Sequence, residues 1–320
     1  MGMTSRPSLI VGENRREGRW LHRPDTGLRF SRSPIYKRAK LPKRVISFAR
    51  PNTRTTNTSL VTNMAQNLLE LLQYTCQNQA GKKILVYQSD SLERGPVCLS
   101  YTTLLNTAYE RAIDVIPYLN VDENPVVLLH VNDHLQGIIW FWAVIAAGGI
   151  PCMSTPFSKD GTQRQKQLNA LLELLANPLI ITTEELASNF ADFDNLRLKT
   201  IEELRTTSTS PPKTKGTALK GYQKGTDEIA VLMLTSGSTG NAKAVGLTNK
   251  QLLHAVVGKS EHHHTTEDDV FLNWTGLDHV ANLTEIHLHA LSLGEYKLLR
   301  AFITIWRIQL QNSIQRKVLT

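Results

Sequence analysis

Leu234-Thr235-Ser236-Gly237-Ser238-Thr239-Gly240-Asn241-Ala242-Lys243 is the stretch that decides how this chain folds. It follows an apolar run, Ile229 to Leu234, with the length and composition of a buried strand, so the loop leaves the carboxyl end of a sheet. Ligands of α/β folds gather at that end. Gly237 and Gly240 permit positive φ and carry no Cβ, which lets successive backbone N–H groups converge on one anion. Thr235, Ser236, Ser238 and Thr239 offer four hydroxyls, and Lys243 supplies a mobile positive charge. A polyphosphate is the ligand such a loop suits.

The spacing excludes a Walker A loop, in which Gly-Lys-Ser/Thr follows four variable residues; here Asn241 and Ala242 separate Gly240 from Lys243. A second short strand, Ala244 to Leu247, precedes Thr248 or Asn249, either of which can cap a helix through Val256-Val257. The pattern is strand, loop, strand, helix. Upstream the alternation continues: a helix capped by Thr62 or Asn63 and running to Cys76, strand 83–88, helix 101–119, strand 125–131, helix 135–147, strand 150–154, helix 163–176 and strand 179–182. This is βαβ material, so an α/β, doubly wound parallel sheet is expected. Residues 205–226, rich in Thr, Ser, Lys and Pro, read as a linker into the strand before the loop.

The charge balance places the basic residues outside that fold. Residues 1–54 hold 14 of the 36 basic and 3 of the 28 acidic side chains, leaving 22 against 25 in the remainder. The formal +8 therefore belongs to an amino-terminal arm, 1–54, expected to be disordered. Glu13 and Glu17, with no early amphipathic helix, argue against a transit sequence, and no nucleic-acid partner is expected. Cys76, Cys98 and Cys152 lie far apart in apolar segments and read as reduced core residues of a cytoplasmic protein. The most apolar window, Leu135 to Gly149, is too short for a membrane span and reads as a buried helix. His262-His263-His264 reads as a solvated loop and not a metal cluster, and His287 and His289 as packing residues; no protein metal site is indicated.

The loop resembles the phosphate-binding segment of the adenylate-forming (AMP-binding) superfamily, which includes acyl-CoA synthetases and the adenylation domains of nonribosomal peptide synthetases. That family reads Thr/Ser-Ser-Gly-Ser/Thr-Thr-Gly-x-Pro-Lys-Gly; this chain keeps Thr235 to Gly240 and Lys243 and has Ala242 and Ala244 for the usual Pro and Gly. Leu99 to Leu104 is similar to an early family segment, and Trp140 to Pro151 to a helix ending in Ala-Gly-Gly before a strand. Phe271 to Val280 falls where the family places an aromatic and histidine segment beside the acyl pocket, with Trp274 and His279 the best matched. The wording of 126–181 and 271–294 is most similar to fungal synthetase-like adenylation modules.

The resemblance implies ATP and Mg2+, a small carboxylic acid substrate, an acyl-adenylate, and transfer to coenzyme A or to the phosphopantetheine arm of a carrier domain. The residues implied for ATP phosphate binding are Thr235, Ser236, Gly237, Ser238, Thr239, Gly240 and Lys243. It covers residues 55–294 as a partial adenylation domain, with 295–320 a divergent tail in which Leu299, Phe302, Trp306 and Leu310 recur at helical spacing. The adenine and ribose motifs and the carboxy-terminal domain with the family's catalytic lysine are not found, so the catalytic residue is unknown and the chain reads as the amino-terminal portion of such an enzyme. The alternatives are a catalytically inactive nucleotide-binding remnant and an interaction protein using the basic arm.

Overall fold

The structure is a computed structural model and describes residues 65–79, 81–87, 95–120, 124–207, 224–236, 242–293 and 295–299. Residues 11–55 and the rest of the chain form separate units, and every described residue lies in the latter. The basic arm 1–54 and most of the 205–226 linker thus lie outside the described residues.

Strands β3 (Val126–His130), β4 (Ile150–Met153), β5 (Leu179–Thr182), β6 (Arg197–Thr200), β7 (Ile229–Ser236) and β8 (Ala242–Thr248) form a six-stranded sheet in the order β6-β5-β3-β4-β7-β8. The pairs β3 with β4 and β5, β4 with β7, and β5 with β6 are all parallel, and only β8 runs antiparallel to its neighbour. A second sheet, β2-β1-β10-β9, contains β1 (Lys83–Tyr87), β2 (Val97–Ser100), β9 (Val270–Asn273) and β10 (Glu295–Leu299). The expected doubly wound α/β architecture is present, divided between two sheets.

Burial on both faces explains why the strands read as unbroken apolar runs. Val127 and Leu129 point into one core and Leu128 into another, as the period of two requires. The larger core joins Ile84 and Val86 of the four-stranded sheet to Val127, Leu129, Ile181, Val231 and Met233 of the six-stranded one. Helices α1 (Leu68–Asn78), α2 (Tyr101–Val115), α3 (His134–Ala146), α7 (Asn249–His263) and α8 (Leu288–Leu293) fill the space between them. On the opposite face of the six-stranded sheet, α4 (Gly161–Leu174) packs Leu168 and Leu171 on Leu128, Cys152, Ile180 and Leu232. Of these helices α3 is buried almost all round, which accounts for its lack of a polar stripe.

Local chemistry sets the helix starts. Asn67 Oδ1 accepts from Glu70 N at 2.9 Å and Asp133 Oδ1 from Gln136 N at 2.9 Å. Thr248 and Gln251 form a reciprocal capping box on α7. The first helix therefore starts from Asn67; the cap expected at Thr62 or Asn63 lies outside the described residues. Pro117 converts the end of the expected 101–119 helix into the 3-10 turn Ile116–Tyr118. At the end of α3, Gly148 takes φ of +85° and a Cβ on Gly149 would press on Val144 and the Pro125 carbonyl, so the Ala-Gly-Gly turn is required by packing.

Four expectations are corrected. Arg197–Thr200 and the helix α6 (Ile201–Thr207) extend the ordered fold two residues past the start of the linker at 205; the burial of Ile201 and Leu204 supports them. Of the tail 295–320, Glu295–Leu299 is a strand paired in parallel with β1 and β9 on its two sides, while Phe302, Trp306 and Leu310 lie outside the described residues. The domain boundary at Gly294 thus falls before a strand of the second sheet. His262 and His263 occupy the last turn of α7 and His264 its left-handed cap, so this segment is helical and not a loop. Cys152 is buried and Cys76 partly so, but Cys98, near the exposed start of an edge strand, faces solvent. No helix among the described residues is long and apolar enough to cross a membrane.

Candidate active site

Parallel pairing directs the carboxyl ends of β3 to β7 to one edge of the six-stranded sheet. The chain passes from β3 to its neighbour β4 and then crosses back over β3 to β5, so the winding direction reverses at β3. Crevices open at the carboxyl edge at such a reversal. Both candidate elements occur on this edge.

The first is the β7–β8 hairpin. Thr235 pairs directly with Lys243 and Ser236 with Ala242. Lys243 is thus a strand residue and not the end of the loop, a two-residue correction that follows from β8 beginning at Ala242. Cross-strand partners share a face, so the Thr235 hydroxyl and the Lys243 ammonium project together, and both residues are exposed. Gly237, Ser238, Thr239 and Gly240 lie outside the described residues, and of Ser236 only the backbone is described. An exposed hydroxyl and an ammonium on one face fit a phosphate group. Among the described residues no cluster of three or more His, Cys, Asp or Glu side chains could hold a metal ion.

The second is a cavity of about 590 Å3 lined from the ends of β3 and β4 and the helical turns after β5 on one side and from the segment after β9 on the other. His130, the last residue of β3, forms its inner wall. Asn189 Nδ2 donates to His130 Nε2 at 3.2 Å, which assigns the ring proton to Nδ1, the donor to Ser154 Oγ at 3.1 Å. Ser154 Oγ in turn donates to the Thr155 carbonyl at 2.8 Å. Phe157 stacks on the imidazole at 4.2 Å between centroids and Phe190 meets it edge-on at 5.5 Å. Burial opposes a charged ring and pushes its pKa down to about 4, so it is neutral at physiological pH. One imidazole thereby ties the ends of β3 and β4 to the 3-10 turn Ser188–Phe190.

The opposite wall is Trp274 to His279. Asn273 Oδ1 accepts from Thr275 N at 3.0 Å and Oγ1 at 2.9 Å, while Asn273 and Asn282 both donate to the Thr275 carbonyl, at 2.8 and 2.7 Å. These bonds fix a turn that strand propensity alone would continue. A Cβ at Gly276 would meet the Asp278 carboxylate that folds back over it, so a larger residue here would displace that side chain. Asp278 Oδ2 lies 3.8 Å from His279 Nε2. The helix then enters a π-helical turn, Asn282–His287, before α8; such turns frequently accompany functional sites.

Of the residues singled out from the sequence, Trp274 and His279 both line this cavity, and Thr235 and Lys243 meet on the hairpin. His287 and His289 are buried, His287 Nε2 accepting from Trp142 Nε1 at 3.0 Å. Sequence reasoning passed over His130, Asn189 and Asn282. The signal for His130 was available: it is the polar residue that ends the apolar run Val126 to Leu129, at the carboxyl end of a buried parallel strand. Asn189 and Asn282 carried no comparable signal.

The hairpin and the cavity thus both lie at the carboxyl edge of the six-stranded sheet in a two-sheet α/β fold. The AMP-binding enzyme family matches residues 72–304, and the chain belongs to that family. It is 46% identical over 228 residues to nonribosomal peptide synthetase acyN of Ascocoryne sarcoides, covering 71% of this chain and 24% of that protein. Microperfuranone synthase of Emericella nidulans is 40% identical over 246 residues, 77% of this chain and 26% of that protein. The chain thus spans about a quarter of the length of the curated relatives it matches. The solved structure of McyG A-PCP complexed with phenylalanyl-adenylate superposes with a TM-score of 0.64 at 23% identity, over 79% of this chain and 45% of that one. The adenylation domain of a keto acid-selecting synthetase module bound to keto acyl adenylate gives 0.61 at 22% identity, over 75% and 44%. These similarities agree with the fungal synthetase-like reading.

Proposed function

We propose that this chain is part of a carboxylic-acid-activating adenylation module, in which residues Thr235, Ser236, Gly237, Ser238, Thr239, Gly240 and Lys243 hold the β- and γ-phosphates of ATP and the cavity beside Trp274 and His279 holds the acid. The observation that carries this reading is that β4, whose end contributes Met153 and Ser154 to the cavity, pairs in parallel with β7, whose end opens the hairpin. Acid and phosphates would then meet on one sheet edge.

In the proposed reaction a carboxylate oxygen bonds to the α-phosphorus of ATP, the bond from that phosphorus to the bridging oxygen breaks, and pyrophosphate leaves. Hydroxyls and the Lys243 ammonium would stabilise the charge that develops on the departing group. Mg2+ would neutralise phosphate charge when bound with the nucleotide. A thiol, on coenzyme A or on the phosphopantetheine of a carrier domain, would then displace AMP and take the acyl group. The neighbour described as A-PCP supports a carrier, and the neighbour described as keto acid-selecting supports a keto acid among the substrates to be tried.

Carboxylate-dependent exchange of labelled pyrophosphate into ATP tests the reading. Exchange with at least one acid, abolished by Lys243→Ala, is expected. The second reading is a catalytically inactive nucleotide-binding remnant. ATP binding with no exchange across a broad acid panel would select it.

A further inference from the structure

The permanent charges that line the cavity are of one sign. Asp133 and Asp278 line it together with the imidazoles of His134 and His279, and no lysine or arginine does among the described residues. Asp133 serves the fold, its Oδ1 accepting the first free amide of α3. Asp278 is placed differently: its carboxylate folds back over Gly276, 17% exposed and 3.8 Å from His279 Nε2, in the lining that Trp274 to His279 contribute. His130 offers no offsetting charge, since both ring nitrogens are engaged by Ser154 and Asn189 and the ring is packed on Phe157. The surfaces between are uncharged, including Gly137, Ile138, Met153 and Leu277.

An anionic group brought into this space loses hydration, meets no fixed cation and approaches a carboxylate held in place. The reacting carboxylate of an acid is therefore left at the end of the cavity toward the α-phosphate of the nucleotide, and the other end of the molecule occupies the cavity. We infer that Asp278 is a specificity-determining residue that restricts the cavity to acids whose far end carries no negative charge. The inference rests on the reading that the cavity's ligand is the acid to be activated. It is a repulsive device: the wrong ligand is rejected by an unfavourable contact more than the right one is gained by a favourable contact.

The test compares three acids of one shape, 4-phenylbutanoate and its para-carboxamide and para-carboxylate derivatives, binding to the full chain by calorimetry at pH 8 and low ionic strength. The carboxamide matches the carboxylate in size and lacks its charge. The para-carboxylate is expected to bind at least about tenfold more weakly than the carboxamide, and Asp278→Asn to bring the two within about threefold while leaving 4-phenylbutanoate unchanged. Asp133→Asn, which keeps a good helix cap, is expected to leave the gap in place. Equal binding of carboxamide and carboxylate to the wild-type chain overturns the inference, as does a gap that survives Asp278→Asn or closes with Asp133→Asn. Those outcomes leave the adenylation reading standing, because binding of 4-phenylbutanoate and pyrophosphate exchange are unaffected by them. Absence of binding by all three acids, together with absence of exchange, removes both.

Discussion

Acid should destabilise this fold along a slope that two buried histidines set. His287 is fully enclosed, its Nε2 accepting from the Trp142 indole at 3.0 Å, and burial pushes its pKa down to about 4; His130 is held at about 4 by the same cause. In the unfolded chain each ring titrates near the ordinary histidine value, about 6.5. Between about pH 6.5 and 4 the unfolded state therefore binds more protons than the native one. Stability is fully retained above the unfolded value and falls as pH drops toward the folded value, by about 1.4 kcal/mol per pH unit for each ring. Across the window each histidine accounts for about 3 kcal/mol, and the pair for about 6, against a typical total of about 5–15 kcal/mol for a domain. Urea unfolding followed by circular dichroism at half-unit steps from pH 7 to 4 measures the slope. His287→Gln, which can still accept from Trp142, should reduce it by about one proton's share in that window. An undiminished slope in the variant would show that His287 is not held neutral by burial and would refute the reasoning.

Three further outcomes are expected. Trp142→Phe should cost about 2–4 kcal/mol in urea unfolding, because it leaves the buried His287 acceptor without its donor, whereas Trp140→Phe should cost less, since the Trp140 indole N–H has no partner among the described residues. A larger loss for Trp140→Phe would reverse that assignment. Thr248→Ala removes half of the α7 capping box and should lower stability by about 1 kcal/mol, with a change below 0.3 kcal/mol by the same method counting against the cap. Lys243→Ala should weaken ATP binding about tenfold or more by calorimetry with no change in melting temperature, as expected for an exposed cation on the hairpin; unchanged affinity would take Lys243 out of the phosphate site.

Much of the scaffold was readable because burial leaves a periodic trace. Strands such as Leu179–Thr182, buried on both faces, appear as unbroken apolar runs, and α3 as an apolar window closed by two glycines. The strand Arg197–Thr200 and helix α6 were missed because a short edge strand with Arg197 and Lys199 carries little hydrophobic signal. For β10 the competing helical spacing of Leu299, Phe302, Trp306 and Leu310 outweighed a two-residue alternation that a parallel neighbour on each side stabilises.

The candidate site divides in the same way. Local sequence determined the phosphate-suited hairpin, since its glycines, hydroxyls and lysine act within ten residues and the preceding apolar run marks its place on a sheet. Resemblance to the adenylate-forming family also singled out Trp274 and His279, which line the cavity. Tertiary structure alone decided that His130, Ser154 and Asn189 join in one polar wall, and that Asp278 lines the same cavity. Those contacts link residues up to about 150 positions apart, through a winding reversal at β3 and a second sheet. A hydrogen bond or a repulsion depends on separation in space, and for residues so far apart along the chain only the packing of the two sheets sets that separation.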